Sequence, residues 1–180
     1  MPKIVDVAGR NTLIAEAAWR VLVRDGPTDL SVRKVAAEAE LSPSSLRHAF
    51  PTQASVRDHA VALLLERLSQ RVAGVDDAHA MLLELLPLDE ERRIEMEVSL
   101  SFGTMAMTDD ALNRSHKQIH LAVRDVCARA LDLLAIKPAE LDGLHAYIDG
   151  LALHLVRQDP HDDTQWALTA LTTQLERLRA

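Results

Sequence analysis

His116 and His120 stand four residues apart, so on a helix they share one face and could grip a metal ion if a third and fourth ligand came from elsewhere. No cluster of cysteine and histidine supplies those ligands, which leaves a surface pair as the simpler reading and no metal site expected. The single cysteine, Cys127, can form no intramolecular disulfide, and a small packing residue is the ordinary role for such a thiol. Motifs of catalysis are missing. There is no glycine-rich phosphate loop, no nucleophile elbow and no HExxH run, and Glu95 and Glu97 are not at helical facing distance. No enzyme is expected. The hydroxyls that remain stand at punctuation points of the chain: Ser31 before an apolar stripe, Ser42 before Pro43, and Thr52 after Pro51. Each is placed to accept from a free backbone N–H at a helix start, and Pro43 falls at the first helical position, where its missing N–H costs nothing.

The elements behind these residues are helices. Only 3% of the 180 residues are aromatic and 48% are apolar, a composition led by leucine, alanine and arginine that suits an all-α chain with a real core. Residues 1–9 carry no helical period and are read as a flexible arm. From Asn11 to Arg24 apolar residues recur at spacings of three and four, and Gly26-Pro27 ends the run. A second short helix runs to about Glu40, a third covers about Pro43 to Ala49, and a longer one continues toward Arg71. Two brief helices joined by a tight turn are the ingredients of a helix-turn-helix. Gly74 to Asp77 breaks the chain, dividing a domain over 10–72 from another over 73–180. The second is expected to hold helices over about Asp77–Leu86, Glu90–Ala106, Asp110–Ala135, Pro138–Gln158 and Asp163–Leu178, about nine in all.

Charge is unevenly shared. Residues 1–72 hold 10 Lys and Arg against 8 Asp and Glu, while 73–180 hold 10 against 19 within an overall net charge of −7. A mildly basic head on an acidic body suits contact with a polyanion at the head alone. No apolar run approaches the roughly 20 residues of a membrane helix, and the first residues lack the apolar stretch of a signal peptide, so a cytoplasmic chain without a membrane partner is expected.

The wording of Asn11–Arg57, with "LSVRKVAAEAE" followed by "LSPSSLRHAF", resembles the DNA-binding domain of the TetR family of transcriptional regulators. The resemblance implies an N-terminal three-helix helix-turn-helix domain that binds double-stranded operator DNA. By position it assigns Ser31 and Arg33 to phosphates, Ser42, Pro43, Ser44, Ser45, Arg47 and His48 to the major groove or its walls, and Thr52 with Gln53 to the backbone at the next helix start. Those types suit the task, because Arg47 can donate twice to guanine O6 and N7 while serine hydroxyls and a proline ring let backbone approach the groove. The sequence departs from the common pattern at Glu40, where glycine is frequent, at Ala49, where an aromatic residue is frequent, and at Gln53, where lysine is frequent.

"LLPLDEERRIEMEVSLSF" and "LHAYIDGLALHLV" resemble the C-terminal regulatory domain of the BetI-like branch, which implies a ligand-sensing and dimerisation domain. The homodimer is expected to form through Leu144, Ile148, Leu151, Leu155, Leu168, Leu171 and Leu175, which make two apolar stripes. A small-molecule effector, an inducer of unknown identity, is expected against Met96, Leu100, Met105, Ile119, His120 and Val123, with no cofactor. The reading is therefore a repressor released from a palindromic operator by an inducer. The alternative is a small-molecule-binding helical dimer with weakened or lost DNA recognition, suggested by Glu40, Ala49 and Gln53.

Overall fold

The structure, a computed structural model, describes residues 7–180, and all regular elements among them are helical. The expected arm lies outside the described residues up to residue 6. Over 7–9 it is replaced by helix, because α1 spans Val7–Asp25 rather than starting at Asn11. The chain forms two compact units. The first ends at Leu64 and takes in Leu100–His116; the second comprises Leu65–Ser99 and Lys117–Ala180. The units therefore part eight residues before the boundary expected at 72, inside a continuous helix, and the first recruits a later segment.

In the first unit α1 is followed by α2 (Val32–Glu38), α3 (Pro43–Ala49) and the beginning of α4 (Gln53–Val72). The face predicted for α1 is buried apart from Leu13, which is 40 % exposed: Ile14, Ala17, Ala18, Val21 and Leu22 are wholly out of water, as are Val35, Ala36, Leu46, Val56 and Ala60 on the next three helices. Trp19 joins this core and donates its indole N–H to the Ala60 carbonyl at 2.9 Å, so its polar atom is paired where water does not reach. At the rim, Glu38 of α2 accepts from Arg20 and Arg24 of α1, each at 2.8 Å, and Lys34 reaches Asp25 at 3.0 Å.

Glu40 follows α2 with φ 54°, in the left-handed region. Its N–H donates to the Ala37 carbonyl at 3.2 Å and that of Leu41 to the Ala36 carbonyl at 2.8 Å, the paired bonds of a Schellman stop. The frequent glycine of the resembling sequences thus has a backbone cause, and Glu40 occupies the position under strain. Ala135 repeats the device at the end of α7 (Asp110–Leu133): its φ is also 54°, and the Ala135 and Ile136 N–H groups reach the Asp132 and Leu131 carbonyls at 3.1 and 3.0 Å.

The second unit contains the end of α4, α5 (Ala78–Leu83), most of α6 (Glu90–Met105) and α7, then α8 (Leu141–Arg157) and α9 (Gln165–Arg179). Pro138–Glu140 forms a single 3-10 turn ahead of α8, so that helix begins later than the expected Pro138. Its core joins Leu82, Leu86, Cys127, Ala130 and Leu131 to Leu144, Ile148, Leu155 and Leu171.

This core corrects the expected dimer face. Leu144 and Leu171 are fully buried within a single chain, and Ile148, Leu151, Leu155 and Leu175 expose no more than 7 %. Side chains already removed from water have no apolar area left to bury against a partner. Leu168 is half-buried. Six of the seven stripe residues pack into the core of their own chain.

Arg93 closes the α8 end. Its guanidinium donates to the carbonyls of Val156, Leu155 and Gln158 at 2.7, 3.0 and 3.2 Å, satisfying acceptors that a helix end leaves unpaired. Among the described residues no helix is long and apolar enough to cross a membrane.

Candidate nucleic-acid interface

A seven-residue helix is too short to hold its shape alone, and α3 is fixed by local bonds and one anchor. Ser42 (φ −69°, ψ 137°) accepts the Ser45 N–H on its hydroxyl at 3.2 Å, and Pro43 occupies the first turn. Leu46 is fully buried and is the anchor. Ser42, Pro43, Ser44, Ser45, Arg47 and His48 are all exposed, so the helix turns one side chain inward and the rest of its surface to solvent. The Ser42 and Ser44 hydroxyls lie 3.3 Å apart.

The flanking residues are arranged less freely. Ser31 (φ −146°, ψ 151°) caps α2 by accepting the Lys34 N–H at 3.2 Å, and Arg33 is exposed on the same helix. At the start of α4, Thr52 and Ser55 cap each other: the Thr52 hydroxyl accepts the Ser55 N–H at 3.0 Å while the Thr52 N–H donates to the Ser55 hydroxyl at 3.1 Å. The hydroxyl and the N–H of Thr52 are therefore both engaged with Ser55. The Gln53 amide folds back to donate to the Pro27 carbonyl at 3.3 Å.

Two residues unmarked in the sequence complete the arrangement. Arg10 of α1 donates to the Ser45 hydroxyl at 2.7 Å, and the neighbouring Asn11 carbonyl lies 2.7 Å from His59 Nε2. A carbonyl can only accept, so that ring nitrogen carries the proton. The His59 ring stacks on Phe50, the C-cap of α3, with centroids 4.7 Å apart. These partners lie 35 and 48 residues apart, and no spacing rule reaches them.

The expected effector residues are divided between the units. Leu100 and Met105 belong to the first and are half-buried; in the second, Ile119 is buried, Met96 and Val123 are half-buried and His120 is exposed. The His120 ring lies 4.5 Å from the buried His145 ring. No group of three or more possible metal ligands occurs among the described residues. Burial pushes the Cys127 thiol up to about 12, which keeps it protonated and unreactive.

The family model for the C-terminal domain of BetI-type transcriptional repressors matches residues 74–180. The chain belongs to the TetR family. A curated relative of this TetR-family chain, the HTH-type transcriptional regulator PksA of Bacillus subtilis (strain 168), is 37% identical over 168 residues, covering 86% of this chain and 82% of the relative. A transcriptional regulator from Rhodococcus sp. Rha1 has a solved structure that superposes with a TM-score of 0.75 at 27% identity, over 93% of this chain and 95% of that one. The multidrug binding protein EbrR, solved with malachite green, superposes with a TM-score of 0.68 at 25% identity, over 92% and 97% of the two chains. The all-helical TetR fold and its role as a transcriptional regulator stand on these likenesses.

Proposed function

We propose that the protein is a cytoplasmic repressor, rather than an enzyme, that grips a near-palindromic operator as a homodimer and lets go when a small molecule binds. The observation that carries the reading is α3 itself, anchored by Leu46 alone and offering Ser42, Ser44, Ser45, Arg47 and His48 to solvent. In a helix-turn-helix such a surface enters the major groove, and symmetric binding needs two copies spaced by about one DNA turn of 34 Å or a multiple of it.

The second copy is assigned to the outer sides of α8 and α9. Gly143, Ala146, Gly150 and Leu153 follow one another at helical spacing, and a Cβ added at either glycine would meet nothing within 4 Å. On α9, Trp166, Ala170 and Thr173 form the matching line, with Trp166 41 % exposed. Small residues let helices approach closely while the tryptophan supplies apolar area. For the effector, EbrR bound to malachite green supports a small organic ligand here as well, and Met96, Ile119, His120 and Val123 are the wall residues we assign in the second unit.

Selection of bound sequences from random duplexes, followed by anisotropy titration, tests the reading. Wild-type chain should yield a two-fold motif, and Arg47→Ala should weaken binding to it by roughly 1–3 kcal/mol. Absence of sequence-specific binding at low salt overturns the repressor reading. It would favour a ligand-binding dimer without DNA recognition, the state to which the folded-back Gln53 and the engaged Thr52 lend support.

A further inference from the structure

Resting on the DNA-binding reading above, we infer that Arg10 is a specificity-determining positioning residue: by donating to Ser45, it presents that hydroxyl to DNA as a hydrogen-bond donor. A guanidinium has no acceptor, so in the 2.7 Å contact from Arg10 Nη2 the Ser45 oxygen must accept. The hydroxyl has one proton, and the contact leaves that proton free to point away from Arg10.

A serine in a helix otherwise has a competing use for its proton, a bond to the carbonyl one turn earlier, and a freely turning hydroxyl reads donors and acceptors alike. Arg10 takes one of the oxygen's two acceptor sites and so biases the hydroxyl toward donating. A donor matches guanine O6 and N7, adenine N7 or thymine O4 in the major groove, and it mismatches the amino groups of cytosine and adenine. Arg10 thus acts on sequence choice through Ser45.

The surroundings hold Arg10 to this task. The adjacent Asn11 carbonyl accepts from His59, which stacks on Phe50 at the far end of α3. One turn of α1 therefore touches both ends of the helix: Arg10 at its start and Asn11, through His59, at its finish. No acidic residue in the first turn of α3 competes for the guanidinium.

The experiment is sequence selection with the full-length wild type, Arg10→Ala, Arg10→Lys, Ser45→Ala and the Arg10→Ala/Ser45→Ala double variant, with circular dichroism confirming that each folds. Wild type should return a motif, and Arg10→Ala and Ser45→Ala should relax the same base pair in each half-site by about tenfold. The double variant should be no worse than either single one, as for two residues acting as one unit. Arg10→Lys, which keeps a donor, should retain most of the preference. If Arg10→Ala weakens all sequences equally and leaves the motif intact, or if its effect adds to that of Ser45→Ala, the inference is overturned while the DNA reading stands. If wild type returns no motif, both fall.

Discussion

Both terminal nitrogens of Arg71 point at the Glu95 carboxylate, at 3.1 and 2.6 Å, and the Glu95 side chain keeps only 7 % of its surface in water. Arg71 also meets Glu84 through Nε at 3.2 Å, so one guanidinium on α4 serves two acids of the second unit. Arg71→Ala should cost about 3 kcal/mol, because it strands a buried carboxylate rather than merely losing a contact. Replacing both partners, Arg71→Met with Glu95→Leu, should recover most of that loss. Urea denaturation of the three variants checks the order.

Glu40 and Ala135 pay for left-handed backbone that glycine adopts freely. Glu40→Gly and Ala135→Gly should each stabilise the chain by about 1 kcal/mol, part of the gain being offset by the more flexible unfolded state. Thermal denaturation measures both. A loss of stability in Ala135→Gly would show that the turn tolerates alanine without strain.

Leu46→Ala should remove the anchor of α3 at a cost of about 3 kcal/mol, in the range of buried leucine truncations. The exposed Arg47→Ala should leave stability within about 0.5 kcal/mol of wild type. Denaturation of the pair separates the inward side chain from the outward one.

His145 is 4 % exposed, and burial holds its imidazole below the ordinary value, reinforced by His120 and Arg124 and opposed by Asp149 at 3.6 Å and by Asp142. A base with a depressed folded value is neutral in the native chain and takes up a proton first in the unfolded one. Stability from this residue is therefore complete above the unfolded imidazole value of about 6.5 and is lost as pH falls below it toward the lower folded value. Chemical denaturation between pH 8 and pH 5 should show that decline, and His145→Gln should flatten it.

What the sequence made legible were features settled within a few residues. The caps at Ser31 and Ser42 are closed by bonds spanning three positions, and Pro43 opens α3 where it was expected. The leucine stripes of α8 and α9 were legible as stripes, but periodicity does not say which body they face, and here the answer is their own core. The links from Arg10 to Ser45 and from Asn11 to His59 exist only once the chain has folded back. Val7 to Gly9 read as coil, with a glycine and no apolar period, yet they extend α1 by more than a turn's start.

The chain has two tryptophans, and the fold has put one in each compact unit: Trp19 is 2 % exposed and bonded to Ala60, while Trp166 lies open on α9, with its N–H on Gln158 and its ring 6.4 Å from that of His154. Their fluorescence is consequently separable by colour and by quenching. Iodide reaches the second indole and spares the first, so one cuvette can follow the melting of the two units as independent signals.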